Sequence, residues 1–346
     1  SSSNGPRCGR RCRPTEMAGR PCSLAMMLLR AIPLVSISRA AGAASCIGGI
    51  DMSGVDDSYV MGNGGTILDQ RSLMLQHGSG VSVTKACQTP YWSPFGFTSF
   101  QLLGKTLSFT VNLSNVGCGC NLALFLVQGP AKDRNGRPSH GACSWNPYYC
   151  DSKQVCGQWC PEMDIMEANK RVFSTTPHKC DTPSPEGHYS NCDPHGCTRN
   201  TDTMGGDAYG PGAKYKIDST HPFEVRVMFD GSGLQAGRSG GSFTGLTTTL
   251  QQGVNEVVLD FSSCRGYLGE LAGVMAQGMT MHIAYTGKAW NASRMDPLCR
   301  STTCTGDNAG NAIISNVRIK SSCAREIAIS GLGTAAFVSG DGGSAL

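Results

Sequence analysis

Thr106-Leu-Ser-Phe-Thr-Val-Asn-Leu113 alternates polar and apolar residues without a break, the period of a strand with one wet and one dry face. Shortly after it, Asn121-Leu-Ala-Leu-Phe-Leu-Val127 is a nearly continuous apolar run and reads as a core strand. Further alternating runs follow at Phe223-Glu-Val-Arg-Val-Met-Phe229, Met279-Thr-Met-His-Ile-Ala-Tyr285 and 313–319. Helical spacing is confined to 265–276, where Leu268, Leu271 and Met275 share a face. Residues 46–100 read as loop with scattered short strands, and 130–160 as a loop rich in Cys, Pro and aromatic residues. Many short strands with almost no helix predict an all-β chain, a two-sheet antiparallel β-sandwich with long loops.

The chain has 346 residues, 40% of them hydrophobic, enough for a sizeable core, and no internal repeat of fixed period. Its 18 cysteines do not recur in the close Cys and His pairs of zinc sites, so disulfides and an oxidising compartment are expected. Fourteen cysteines lie between Cys87 and Cys323, enough for seven bridges whose connectivity spacing alone leaves open. From Met17, a basic start leads into an interrupted apolar run and then Ala40-Ala-Gly-Ala-Ala-Ser45, which suits a signal peptide. The expected organisation is an upstream extension plus signal peptide over 1–45, one catalytic domain over 46–323 and a disordered Gly-, Ser- and Ala-rich tail over 324–346. Residues 1–45 hold seven Arg and one Glu, which leaves 22 basic and 24 acidic residues in the remainder. A nearly neutral mature domain gives no electrostatic case for nucleic acid or an anionic membrane as partner, and a secreted monomer is expected. The sequons Asn112-Leu-Ser and Asn291-Ala-Ser are glycosylation acceptors if exposed.

Chemistry concentrates in Cys160-Pro-Glu-Met-Asp-Ile-Met-Glu-Ala-Asn169, with three carboxylates in six residues. On an ideal strand Glu162 and Asp164 share a face, while Glu167, an odd five positions from Glu162, falls on the other. A one-residue bulge near Ile165-Met166 returns Glu167 to the face of Glu162, and we expect that bulge. Two carboxylates so placed suit double displacement at a glycosidic bond, which needs them about 5–5.5 Å apart. Glu162 would attack the anomeric carbon, and Glu167 would protonate the leaving oxygen and later deprotonate water. Charge on Glu162 would keep Glu167 protonated until needed, and Asp164 would position the nucleophile. The competing reading is a plain strand with one wet face.

At this segment the sequence resembles glycoside hydrolase family 7, whose hallmark is Glu-x-Asp-x-x-Glu followed by Ala-Asn inside a cysteine-rich sandwich. The resemblance extends to 103–115, Gly119-Cys-Asn-Leu-Ala-Leu124, Thr176-Pro-His178-Lys-Cys180, Cys192-Asp-Pro-His-Gly-Cys197, Tyr209-Gly-Pro-Gly212, Gln277-Gly-Met279 and Ser315-Asn316, and so spans about 100–320. It implies a jelly-roll, concanavalin-like sandwich with a concave cleft, a β-1,4-glucan substrate, and no cofactor or metal. It also implies that Tyr149, in Tyr149-Cys-Asp-Ser152, hydrogen-bonds the nucleophile and that His178 lies beside the acid/base. Family 16 shares the carboxylate motif but lacks this cysteine framework.

Departures from the family pattern bear on substrate. Family Trp positions fall at Met166, Arg199, Thr286 and Arg294, and a family Arg at Thr203. Of the four remaining Trp, Trp145 and Trp290 are the candidate sugar platforms. The loop from Cys150 to Cys156 is shorter than in the family, so an open cleft and internal cutting are expected rather than processive release of cellobiose. The alternatives are a non-catalytic β-glucan-binding or cell-wall protein on the same sandwich, and a β-1,3/1,4-glucanase like family 16.

Overall fold

A computed structural model describes residues 45–322, apart from 88–92, 144, 234–240, 288–298 and 300–302. The expected leader, the tail, Trp290, Arg294 and the Asn291 sequon lie outside the described residues. The strands are β1 (Ser45–Gly49), β2 (Tyr59–Asp69), β3 (Ser72–Thr84), β4 (Ser99–Phe100), β5 (Lys105–Asn112), β6 (Asn121–Val127), β7 (Glu162–Ala168) and β8 (Phe173–His178). They continue as β9 (Arg199–Asn200), β10 (Tyr209–Gly210), β11 (Ile217–Asp218), β12 (Phe223–Ser232), β13 (Ser242–Gln252), β14 (Asn255–Asp260), β15 (Met279–Thr286) and β16 (Ala312–Ser321). Two short helices, α1 (Arg265–Glu270) and α2 (Ala272–Gln277), stand where a single helix is expected. Glycines at 266, 269 and 273 weaken the helix, while Leu268, Leu271 and Met275 are buried as their spacing implies.

Hydrogen bonding links the strands in the order β14-β13-β12-β5-β16-β3-β15-β6-β7-β8-β9, and β2 joins β3 from the side. The ladder turns a corner within β3. Leu73, Met74 and Leu75 pair with β16, whereas Ser79 to Ser82 pair with β15. The shift falls at Gln76-His77-Gly78, opposite a bulge in β2 between Asn63 and Gly65, and Gly78 and Gly64 take φ of +87° and +71°. Strands that change sheet through bulges and glycines make the corners of a sandwich. The two leaves, β14 to β16 and β15 to β9, then face each other. Phe173 of β8 meets Phe223 of β12 at 6.3 Å between ring centroids, and Thr175 of β8 donates to Thr248 of β13.

Alternation in β5 buries Leu107, Phe109 and Val111 between the leaves. Strand β6 is buried on both faces because a second cluster, including Tyr149, Cys150, Cys156 and Cys160, covers its outer side. Residues 46–100 correct the sequence reading. Instead of scattered short strands they form β2 and β3, among the longest strands described. Gly62, Gly64, Gly65, Gly78 and Gly80 erase the side-chain alternation there without removing the backbone ladder.

Seven disulfides are present among the described residues: Cys46–Cys87, Cys118–Cys299, Cys120–Cys304, Cys143–Cys156, Cys150–Cys160, Cys180–Cys192 and Cys197–Cys264. The count agrees with expectation but the membership does not. Cys87 takes Cys46, which precedes the expected set, as its partner.

Candidate active site

The register of β7 against β6 settles which way the acids point. Glu162 pairs with Val127, Met163 with Leu126, Asp164 with Phe125, Met166 with Leu124 and Glu167 with Ala123. Ile165 is the extra residue, so the expected bulge is present. Partners directly opposite in an antiparallel pair share a face. Leu124 and Leu126 belong to the core between the leaves, and Ala123, Phe125 and Val127 to the outer cluster. Glu162, Asp164 and Glu167 therefore all project from the outer face, while Met163, Ile165 and Met166 anchor the strand in the core. Across β7, His178 pairs with Glu162 and brings its ring to the same side.

The site is dry. Glu162, Asp164 and Glu167 are 4%, 3% and 4% exposed, and Asp151 beside them is 2% exposed. The short segment after Cys150 does not leave the carboxylates bare, because it packs down onto the outer face. Ser152 grips one of them: its backbone N–H and its hydroxyl both donate to Oε2 of Glu162, at 3.1 and 2.7 Å. Glu167 accepts a single, longer bond, 3.3 Å from Asn121 Nδ2.

Asp164 is the hub. Its Oδ2 lies 3.0 Å from His178 Nε2 and 3.8 Å from Lys153 Nζ, and it is close enough to both glutamates to shift their pKa values. Oxygens of Glu162 and Asp164 and a ring nitrogen of His178 all fall within 4.8 Å of one another. His178 Nδ1 faces the Asp193 carbonyl at 2.8 Å and must donate there. The contact from Nε2 to Asp164 thus holds one proton between ring and carboxylate.

Burial, with Asp164 and Asp151 nearby, raises the Glu162 pKa well above the ordinary carboxylate value. Burial and Asp164 do the same to Glu167. Asp164 is equally buried, yet Lys153 and His178 outweigh that and hold it below its ordinary value. Ser152 gives Glu162 two hydrogen bonds that favour its anion, whereas Glu167 accepts one longer bond from Asn121, while Asp164 raises the pKa of both. The environments thus separate two otherwise identical acids.

Tyr149 lies over this face, 5.7 Å from the Phe125 ring and 4.8 Å from Trp145 between centroids. It is close enough for Asp151 and Glu162 to raise its pKa, but the hydrogen bonds that Glu162 accepts come from Ser152. Trp145 seats on Gly80 of β3, where a Cβ would come within 2.9 Å of the ring. Arg199 turns away from the acids, donating to the Asp260 carbonyl at 2.8 Å and stacking on Phe261.

Sequence reasoning assigned no role to Asp151, Ser152, Lys153, Asn121 or His282. Asn121 is the single polar residue of the β6 run, a usable signal. His282 sits on the same face, pairing with Phe125, and is held by Ser82 at 2.7 Å and Thr280 at 2.8 Å. Burial pushes its pKa down to about 3, so it is neutral.

Fold and site together define a disulfide-bridged antiparallel β-sandwich with a buried acidic centre on the outer face of one leaf. Residues 141–253 match the family model of Glycosyl hydrolase family 7. A probable endo-beta-1,4-glucanase celB of Neosartorya fischeri is 28% identical over 200 residues, covering 51% of this chain and 49% of that protein. The chain spans about half the length of the curated relatives it matches. Among solved structures, the native Humicola insolens endocellulase EGI superposes with a TM-score of 0.52 at 20% identity, over 75% of this chain and 79% of that one. A cellobiohydrolase of that family from Daphnia pulex gives 0.59 at 15% identity, over 82% and 98%. The stretch that carries the acids is thus similar in sequence to glycosyl hydrolase family 7, and the sandwich is similar in fold to the solved structures of that family.

Proposed function

We propose that the protein is a retaining glycoside hydrolase that cleaves β-1,4-glucosidic bonds of cellulose or a related β-glucan by double displacement, cutting within chains, outside the cell. The observation that carries this reading is the bulge at Ile165, which puts three acids and His178 on one face. In this mechanism Glu162 is the nucleophile. Both Ser152 donors bind its Oε2, which leaves Oε1 for the anomeric carbon. Glu167 gives its proton to the leaving glycosidic oxygen as the glycosyl ester forms, then takes a proton from the water that hydrolyses the ester. Ester formation removes the charge on Glu162, which lowers the Glu167 pKa and leaves it ionised to accept the proton from water in the second step. Asp164, held by His178, orients Glu162 from the side, and Tyr149 and Trp145 supply ring surface for sugars.

The cysteine bridges support an oxidising compartment, as does the kinship with endoglucanases. Among the described residues no helix is long and apolar enough to cross a membrane. Hydrolysis of a soluble aryl-cellobioside tests the reading. Turnover should fall by at least about 10²–10⁴-fold in Glu162→Gln and in Glu167→Gln. Absence of turnover in the wild-type protein, with retained binding to β-glucan, would favour the binding-protein alternative. The products from several β-glucans would identify the linkage and the mode of cutting.

A further inference from the structure

Four buried carboxylates, Asp151, Glu162, Asp164 and Glu167, crowd one patch of the outer face. Buried acids at such separations hold protons unless a cation balances them. Among the described residues two basic groups face the cluster. His178 is tied to the Asp193 carbonyl on one side and Asp164 on the other. Lys153 places its ammonium 3.8 Å from Asp164 Oδ2, where it interacts with Asp151, Glu162, Asp164 and Glu167 together. Lys179, the next cation along from His178, is engaged with Glu270 at 2.6 Å. Two further described groups on this face, His282 and Tyr149, are uncharged.

We propose that the Lys153 ammonium is the counter-ion of this cluster, a positioning residue that lets Glu162 ionise beside Asp164 and Glu167 and so sets the pH range of turnover. The inference rests on the glycosidase reading for its consequence, not for its geometry. The chain is built to hold the cation there. Asp151 Oδ1 accepts from the backbone N–H groups of Lys153 and Val155, at 2.9 and 3.0 Å, which folds the turn that carries the lysine. The preceding residue, Ser152, is fixed on Glu162 itself. Lys153 lies within both the Cys150–Cys160 and Cys143–Cys156 loops. Its side chain is 31% exposed while that of Asp164 is 4% exposed, so the cation stays partly hydrated. Burial works against its charge, yet the four carboxylates overcome this and raise its pKa. Without the charge, Glu162 would keep its proton to higher pH and the nucleophile would be missing where the wild-type protein works.

The test compares wild-type protein, Lys153→Gln, Lys153→Met and Lys153→Arg by kcat/KM against pH on a soluble aryl-cellobioside. Carboxyl titrations by 13C NMR run in parallel, with Glu162→Gln and Glu167→Gln used for assignment. Both neutral variants should move the acidic limb, and the Glu162 titration, upward by about one pH unit or more, and Lys153→Arg should restore most of the shift. Met keeps the apolar stem, so a folding defect confined to Gln leaves the comparison intact. A raised KM with unmoved limbs would make Lys153 a sugar ligand and overturn the proposal, as would unchanged carboxyl titrations in folded neutral variants. If wild-type protein shows no turnover, the glycosidase reading fails, and the NMR titration decides the counter-ion role alone.

Discussion

Replacing Ser152 with Ala isolates one bond at the proposed nucleophile. The hydroxyl donates to Glu162 Oε2 at 2.7 Å, and the backbone N–H at 3.1 Å survives the change. A hydrogen bond to a charged group contributes about 1.5–3 kcal/mol in favour of the anion. At about 1.4 kcal/mol per pKa unit, its loss raises the Glu162 pKa by roughly one to two units. The acidic limb of kcat/KM against pH should shift upward by that amount, and at pH values below the new limb activity should fall by about 10–100-fold. At higher pH, where Glu162 is ionised in both proteins, the two curves should converge. The assay is initial-rate hydrolysis of a soluble aryl-cellobioside between pH 3 and 9, with circular dichroism to verify folding. A uniform loss at every pH, with the limb unmoved, would refute the reasoning and leave the hydroxyl with a purely geometric task.

Other outcomes follow from the same structure. Glu167 has its pKa raised in the folded state from an ordinary 4.5, so it contributes stability at low pH that is lost as pH rises above that value. Glu167→Gln should therefore raise the Tm at pH 7 but not at pH 4, by about 2–4 °C for each kcal/mol recovered, as read by calorimetry. His282 is depressed from 6.5 to about 3, so its contribution is complete above pH 6.5 and declines as pH falls. Urea unfolding of His282→Val should lose about 1.4 kcal/mol per pH unit of slope in that interval, and an unaltered slope would contradict a neutral buried ring. Gly80→Ala sets a methyl 2.9 Å from the Trp145 ring and should displace it, changing tryptophan fluorescence and raising KM. An unchanged spectrum and KM would remove Trp145 from the substrate surface.

The acidic strand was readable in detail because its pattern conflicts with itself. Three acids and three large apolar residues cannot satisfy one face each by strict alternation, and a single bulge at Ile165 is the least disruptive solution. Strands β5, β6, β12, β15 and β16 were equally legible, since their side chains alternate or are uniformly apolar. Strands β2 and β3 were not, because glycine has no side chain to report a face, and here glycines make the corner. The surroundings of the acids were the hardest part. Ser152 and Lys153 reach Glu162 and Asp164 across a loop closed by two disulfides, and that proximity exists only once the chain has folded. Tyr149 lies over the acids on the same face, but the hydrogen bonds that Glu162 accepts come from Ser152, three residues further along the loop.

The bridges Cys143–Cys156 and Cys150–Cys160 overlap along the chain, each beginning inside or before the span of the other. Opening either one leaves the segment from 150 to 156 still fastened by its companion, so mild reductants should first erode the fine alignment of residues 151–153 rather than unfold the sandwich. Catalytic failure would then precede loss of secondary structure during reduction, and the interval between the two events would measure how much redundancy this double fastening provides.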